Sequence, residues 1–431
     1  MNQLARRLGV FDATMIVMGG VVGSGIFINP YVVARQLDTP AAILGAWIFG
    51  GVIALAGGFL YAELADRRPD LNGQYAYLRD AYHPAVAFLY GWVLLLVIQT
   101  GGMAAVAITF ARYFLNLTGL AWNDAAVAAG TLALLTLVNC LGVKAGANVQ
   151  SILMVLKILA ITGLVVCGLT LGSSAGAVSH ATTVPFSVVT FSAAMTPVLF
   201  AYGGWQTASF VASEMTNPKR DLHRAMILGV IGVVVLYLSI NFVYLWILGP
   251  KGLAESTTPA STVMERLLGV TGARITAVAI TVSTLGFLSQ AMLTAPRVYF
   301  SMAADGLFFR QVATVSKGAQ VPVVAIVLQG IFATIIAIAG AYEQILNYVV
   351  SVDFFFIGLT ALSVLIYRKR DFGAWFKGRS PALTLFFVAA SWWIVWSTIR
   401  HSPLESGIGL GILLAGLPAY AYWNRSGASV D

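Results

Sequence analysis

The chain has 431 residues, of which 59% are hydrophobic and only 10% are charged. Soluble domains are about 45–50% apolar and about 25% charged, so this composition excludes an ordinary soluble enzyme, a nucleic-acid-binding protein and a disordered chain. The two cysteines, Cys140 and Cys167, both lie in apolar stretches, which excludes a disulfide scaffold and a cysteine-rich metal site. The sequence therefore predicts an integral membrane protein.

Apolar segments long enough to cross a bilayer follow one another along the chain. A helical crossing needs about 20 residues. The sequence predicts twelve spans, at 12–35, 40–65, 84–115, 123–142, 148–171, 187–213, 225–249, 271–301, 321–341, 343–367, 382–400 and 404–423. Because the connections are short and leave no soluble domain, we expect a single all-α transmembrane domain over residues 1–431.

The net charge of +8 is explained by the topology of these spans. An even number of spans places both termini on one side of the membrane, and with that side cytoplasmic most basic residues lie in inner segments. An excess of lysine and arginine in cytoplasmic loops is the usual pattern of membrane proteins. We therefore expect a multi-pass protein of the plasma membrane, here the bacterial inner membrane, with both termini cytoplasmic and no nucleic-acid partner.

Two predicted spans contain helix-breaking residues near their middle. The first holds the run Gly19-Gly20-Val21-Val22-Gly23-Ser24-Gly25, and the sixth holds Pro197 followed by Gly203-Gly204. Glycine and proline both weaken helices, and unpaired backbone groups in lipid are costly, so such breaks must face a cavity or a ligand. Interruptions at matching positions five spans apart are typical of inverted repeats around a transport site. The alternative is that the glycines only allow close helix packing.

The residues around the two breaks resemble the amino acid–polyamine–organocation (APC) superfamily, and within it the L-type amino acid transporter (LAT) branch. The resembling segments are Gly23-Ser24-Gly25-Ile26-Phe27, Phe200-Ala201-Tyr202-Gly203-Gly204-Trp205, Tyr61-Ala62-Glu63-Leu64, Gly73-Gln74-Tyr75-Ala76-Tyr77 and Glu214-Met215-Thr216-Asn217-Pro218-Lys219-Arg220. The resemblance implies a LeuT-like fold of twelve transmembrane helices with a 5+5 inverted repeat. Residues 12–171 and 187–367 would form the two repeat units, and residues 382–423 two additional C-terminal helices.

The resemblance also implies an amino acid site at the breaks. Since the N-terminal end of a half-helix binds anions, the amides around Ser24 and Gly25 and the Ser24 hydroxyl are expected to bind the substrate carboxylate. Carbonyl groups of both breaks are expected to bind its ammonium group, and Phe200 to act as the gate. The substrate-binding residues implied in this way are Val21, Gly23, Ser24, Gly25, Ile26, Phe200, Ala201 and Gly203.

The side-chain pocket is less determined by the sequence. Gly203 and Gly204 place no charge beside the substrate, which argues against a dedicated carrier of cationic amino acids or polyamines. Gln206 stands where close relatives often carry asparagine. We expect small to medium neutral L-amino acids as substrates.

Two ionisable residues fall inside predicted spans. A charge at the bilayer centre costs about 2.5–3.5 kcal/mol on insertion scales, so Lys157 in the fifth span needs a partner or a function. In sodium-independent members of the family a lysine on this helix takes the space of a sodium ion, which implies a coupling role for Lys157. Snorkelling to an interface is the alternative. Asp353 in the tenth span is a possible proton site or a polar helix contact, and Glu63 and Glu214 are expected to pair with nearby arginines.

The predicted function is sodium-independent secondary transport of neutral L-amino acids by alternating access, most simply as an exchanger. A proton-coupled amino acid symporter and a carrier of amines or nucleobases on the same scaffold remain alternatives. The chain shows no phosphate-binding loop and no metal-spaced histidines, so we expect no enzyme activity, no metal and no cofactor. The loop 116–123 lacks the cysteine through which some relatives bind a glycoprotein, so no disulfide-linked ancillary subunit is expected.

Overall fold

The computed structural model describes residues 9–68, 73–140, 146–172, 187–316, 321–340, 342–372 and 381–427. The helices in these ranges are α1 (Val10–Val21), α2 (Gly25–Ala34), α3 (Pro40–Arg67), α4 (Gly73–Ala81), α5 (Pro84–Val93), α6 (Gln99–Thr118), α7 (Asp124–Cys140), α8 (Gly146–Leu171), α9 (Val188–Tyr202), α10 (Pro218–Glu255), α11 (Pro259–Thr294), α12 (Pro296–Ala304), α13 (Val323–Ala339), α14 (Tyr342–Phe372), α15 (Pro381–His401) and α16 (Pro403–Gly427). A π-helical turn over Leu94–Ile98 joins α5 to α6, and 3-10 segments cover Trp205–Glu214 and Arg310–Ala313. The all-α prediction is confirmed.

Ten helical segments in the described ranges are long and apolar enough to cross a membrane. They are Val10–Ala34, Pro40–Arg67, Pro84–Thr118, Met154–Leu171, Val188–Ser209, Arg220–Glu255, Pro259–Ala304, Tyr342–Asp371, Pro381–His401 and Pro403–Arg425. The predicted fourth and ninth spans coincide with α7 and α13, which are apolar but shorter. The protein is therefore a multi-pass membrane protein, with ten candidate spans by length and composition.

Two helices extend beyond the predicted spans, and each contains a glycine at which the chain turns. Gly249 interrupts α10 with a φ of 68°, and Gly269 interrupts α11 with a φ of 66°. Glycine adopts this left-handed conformation without the steric cost that a Cβ atom imposes. Hydropathy ends the seventh span at Gly249 and begins the eighth after Gly269, whereas the chain turns at both glycines and is helical on either side.

The helices α1, α2 and α9, which flank the two predicted breaks, lie in the middle of the bundle. The helices α1 and α3 both pack against α10, and α2 packs against α9. The helix α2 is almost wholly apolar, and the protein itself buries every one of its residues except Tyr31. By contrast, α16 exposes much of its apolar surface, for example at Leu404 and Leu417. Such a surface is expected for a helix that faces lipid, while α2 is enclosed by protein.

A buried ion pair fastens α3 to the C-terminal end of α14. Arg368, only 1% exposed, donates to both carboxylate oxygens of Glu63, at 2.9 Å through Nε and at 2.7 Å through a terminal nitrogen. Arg67 also pairs with Glu63, as expected, and reaches Asp371 at 3.0 Å. Arg368 was not predicted, because it lies 305 positions away from Glu63. The side chain of Glu214 lies outside the described part of the chain.

Replacing Glu63 by alanine would leave the Arg368 guanidinium buried without its counter-ion. Removing one partner of a buried ion pair lowers the free energy of unfolding by about 3–5 kcal/mol. We expect a correspondingly lower thermal denaturation midpoint for the purified Glu63→Ala variant in detergent.

The matched control for this prediction is Glu343→Ala. It removes an exposed pair with Arg35, whose side chains are 52% and 53% exposed, and such pairs contribute less than about 1 kcal/mol. Equal midpoints for the two variants would contradict the proposed contribution of the buried pair.

Candidate functional site

Both predicted breaks are present in the structure. The first helix stops at Val21, residues 22–24 are non-helical, and α2 begins at Gly25. The second break follows Tyr202, where Gly203 is extended and Gly204 has a φ of 102°, before the chain re-enters a 3-10 segment at Trp205. Each break leaves carbonyl groups at the end of one half-helix and amide groups at the start of the next without helical partners.

The two breaks meet backbone to backbone. A Cβ atom added to Gly25 would lie 2.6 Å from the Cα atom of Ala201, and one added to Gly20 would lie 2.6 Å from the carbonyl oxygen of Gly204. Neither distance is possible for real atoms, so these positions accept only glycine while the backbones stay in place. The glycine runs therefore allow two interrupted helices to approach closely. The sequence left open whether the glycines break the helices or allow close packing, and here they do both.

A tyrosine from a third helix bridges the two breaks. The Tyr237 hydroxyl lies 3.0 Å from the carbonyl oxygen of Val21 and 3.1 Å from that of Ala201. Both oxygens were expected to bind the substrate ammonium group, and each has a second lone pair beyond the one that faces Tyr237. The sequence gave no reason to single out Tyr237, because it is one apolar-flanked tyrosine within a long helix.

Lys157 points at the first break. Its ammonium group donates to the carbonyl oxygen of Val22 at 2.5 Å, and the residue is only 6% exposed. The side chain therefore turns into the protein toward the non-helical backbone, instead of extending along α8 to a bilayer interface. This contact satisfies one of the carbonyl groups that the break leaves free.

A cavity of about 110 Å³ lies at the two breaks. Six of the eight predicted binding residues line it: Val21, Gly23, Ser24, Gly25, Phe200 and Gly203. The other two do not, since Ile26 and Ala201 are buried in the core. Ser24 is fully buried, lines the cavity and lies beside the Tyr342 hydroxyl.

The remaining walls of the cavity come from elements that the sequence did not indicate. These lining residues include Tyr90, Leu94, Ile98, Gln99, Phe287, Gln290, Thr294, Val349 and Phe354. Leu94 and Ile98 belong to the π-helical turn, a form that is rare and often found at functional sites. Its position depends on packing and has no marker in the local sequence.

Two polar side chains that follow the second break form hydrogen bonds with its backbone. The Gln206 side-chain oxygen accepts a hydrogen bond from the Gly204 amide at 3.1 Å, and the Thr207 hydroxyl donates to the Gly204 carbonyl at 2.7 Å. They therefore cap the backbone around Gly204, although both also line the cavity.

The cavity also contains a carboxyl group, which does not come from Gly203 or Gly204. Asp353 of α14 lines the cavity and is 9% exposed. The sequence argument about charge beside the substrate considered only Gly203 and Gly204 of the sixth span, whereas Asp353, predicted as a possible proton site or polar helix contact, belongs to the tenth. Among the residues in the described ranges, no group of three histidine, cysteine, aspartate or glutamate side chains is placed to hold a metal ion.

Asn29 ties α2 to two other helices. Its amide nitrogen donates to the carbonyl oxygen of Pro197 at 2.6 Å, and its amide oxygen accepts from the Tyr342 hydroxyl at 2.8 Å. Tyr113 donates to the Phe27 carbonyl at 3.2 Å. These hydrogen bonds hold α2 against α6, α9 and α14.

Many apolar spans, two interrupted helices and a buried cavity between them define a multi-pass membrane transport protein. A family profile described as "Amino acid permease" matches residues 8–406. The chain belongs to the amino acid permease family, which confirms the resemblance to the APC superfamily. It is accordingly a transporter and not an enzyme.

Similar proteins span nearly the whole chain. The serine/threonine exchanger SteT of Bacillus subtilis (strain 168) is 31% identical over 99% of both chains. The large neutral amino acids transporter small subunit 2 of Mus musculus is 28% identical over 98% of this chain and 82% of its own length. The b(0,+)-type amino acid transporter 1 of Oryctolagus cuniculus is 30% identical over 85% of this chain and 77% of its own. These relatives confirm the likeness to the LAT branch.

Replacing Gly25 by alanine would force the two breaks apart, because the added methyl group meets the backbone of Ala201. Overpacking of this kind costs about 1–3 kcal/mol. We expect a lower denaturation midpoint together with loss of amino acid binding, measured by thermal unfolding with and without alanine. In Gly130→Ala, the control, the added methyl group meets no atom within 4 Å, so stability and binding should be retained. Wild-type binding by Gly25→Ala would contradict the close contact.

Proposed function

We propose that this protein is a sodium-independent exchanger of neutral L-amino acids that works by alternating access. The observation that carries the proposal is the pair of interrupted helices, whose free ends meet at one buried cavity. The names of its relatives describe a serine/threonine exchanger and a transporter of large neutral amino acids. Interrupted helices in matching halves are the usual form of a substrate site in secondary transporters.

The proposed fold has twelve transmembrane helices, with repeat units at 12–171 and 187–367 and two further helices at 382–423. Helix contacts support this proposal, because they occur in reciprocal pairs. The contact between α1 and α10 corresponds to the contact between α9 and α3. The contact between α8 and α11 corresponds to that between α14 and α6. The contact between α6 and α13 corresponds to that between α11 and α7. In each pair the two units exchange roles, as an inverted repeat requires.

The substrate carboxylate is proposed to bind the amides at the start of α2 and the Ser24 hydroxyl. The first amides of a helix lack helical partners and carry the positive end of the helix dipole, which favours an anion. The position of Ser24 in the cavity lining, directly before the first residue of α2, supports this assignment. The ammonium group is proposed to bind carbonyl oxygens at the ends of α1 and α9, with Phe200 closing the cavity as the gate.

Lys157 is proposed to supply the positive charge at the first break, where sodium-coupled relatives hold a sodium ion. Its 2.5 Å contact with the Val22 carbonyl supports this role, since carbonyl oxygens that end a half-helix are the groups that bind a cation in such transporters. Asp353 favours the second candidate function, proton-coupled symport, because a buried carboxyl group in the substrate cavity could carry the proton.

The proposed location is the plasma membrane of a bacterium, with both termini in the cytoplasm. We propose that the chain works without a disulfide-linked second subunit, although the mouse relative is named as a small subunit. The loop 116–123 contains no cysteine, and Cys140 and Cys167 are both unpaired and partly buried within helices.

Counterflow in proteoliposomes distinguishes exchange from symport. Vesicles loaded with unlabelled alanine should take up labelled alanine, serine, threonine or leucine faster than empty vesicles, without sodium and without a pH gradient. Uptake into empty vesicles that is driven by a pH gradient would instead establish proton symport. If arginine were the best substrate, the assignment to neutral amino acids would be rejected.

Lys157→Met keeps most of the apolar stem but removes the ammonium group from the Val22 carbonyl. Hydrogen bonds to charged groups contribute about 1.5–3 kcal/mol, so we expect exchange to slow by about tenfold or more while the protein remains folded. The readout is the rate of counterflow per mole of folded transporter. Lys251→Met alters an exposed lysine and serves as the control, with exchange unchanged. A wild-type rate in Lys157→Met would reject the coupling role.

A further inference from the structure

Asp353 is a buried carboxyl group that forms no hydrogen bond or ion pair with another residue in the described ranges. It is 9% exposed, it lines the central cavity, and the Tyr61 and Tyr90 side chains are close enough to interact with it electrostatically. Burying a polar group without a hydrogen bond is costly, and burying an unpaired charge costs more. A group kept under these conditions inside a substrate cavity points to a ligand that completes its hydrogen bonding.

The protein offers few donors that could take this place. Among the described residues that line the cavity none is basic, and the ammonium group of Lys157 is engaged by the Val22 carbonyl. Two hydroxyl groups of the lining are also engaged, since Thr294 donates to the carbonyl of Gln290 and Thr207 to that of Gly204. The other donors of the lining, on Tyr90, Gln99 and Gln290, form no hydrogen bond with Asp353 in this structure, so a donor on the substrate can take that place.

The part of the substrate that faces Asp353 follows from charge. The substrate carboxylate is placed at the start of α2, and a second carboxyl group close to it would be repulsive. Asp353 belongs to α14, where Val349 and Phe354 also line the cavity, and α14 contributes neither of the two backbone breaks. Its carboxyl group is therefore suited to contact the substrate side chain.

We propose that Asp353 is a specificity residue that accepts a hydrogen bond from the side-chain hydroxyl of serine or threonine. The proposal rests on the proposed function, because it assumes that an amino acid occupies the cavity. A carboxyl oxygen accepts from a hydroxyl whether or not it is protonated, whereas an ammonium side chain requires an ionised carboxylate within the membrane. The other polar groups of the lining are neutral hydroxyls and amides, which also favours a neutral donor.

Threonine and valine provide the test, because they have nearly the same shape and differ by a hydroxyl group. In wild-type proteoliposomes loaded with alanine, we expect threonine to be exchanged about tenfold or more faster than valine at limiting concentration. Asp353→Leu removes both acceptor oxygens and should bring the ratio close to one. Asp353→Asn keeps one acceptor oxygen and should give an intermediate ratio. Asp124→Asn removes an exposed carboxylate at the start of α7 and should leave the ratio unchanged.

The outcomes separate this proposal from the proposed function. A wild-type threonine-to-valine ratio near one, with alanine exchange intact, would overturn the role of Asp353 and leave the exchanger assignment standing. Equal losses of threonine and valine exchange in both Asp353 variants would also overturn the role of Asp353. Faster exchange of ornithine than of threonine would overturn it as well. If no amino acid were exchanged, the proposed function itself would fail. Even if the variants do not fold, a wild-type ratio near one still overturns the role of Asp353.

Discussion

The central constraint of this structure is the direct contact between the backbones of two interrupted helices. Gly20 lies against Gly204, and Gly25 lies against Ala201, with no space for a further carbon atom at either glycine. Because no side chains separate the breaks, the free amide and carbonyl groups of both helices face the same small volume. The cavity and its polarity both follow from this contact.

Interrupted backbone inside a membrane must be satisfied by the protein, since lipid offers no hydrogen bonds. Three different helices supply that support here: Tyr237 of α10 bridges the carbonyl groups of both breaks, Lys157 of α8 binds the Val22 carbonyl, and Asn29 of α2 links its own helix to α9 and α14. Each of these contacts must change if the half-helices move during transport.

Much of the fold could be predicted because membrane helices are defined locally. Apolar length alone located a helix at every predicted span, and helix-breaking residues located both interruptions. The features that were not predicted also have physical causes. The short helix α4 is not apolar enough for a hydropathy signal, and the turns at Gly249 and Gly269 arise from a backbone conformation that composition does not reveal. The π-helical turn at Leu94–Ile98 depends on packing against neighbours and was likewise not predicted.

The sequence by itself determined the membrane class, the helical segments, the two breaks and the presence of an ionisable Lys157 and Asp353 within the bundle. These features follow from composition and from residues close together in the chain. The tertiary structure decided which groups meet: Arg368 with Glu63, Tyr237 with both breaks, and Asp353 with the cavity. Those partners come from helices far apart in the sequence. Their proximity is set by how the helices pack against one another, and hydropathy contains no information about that packing.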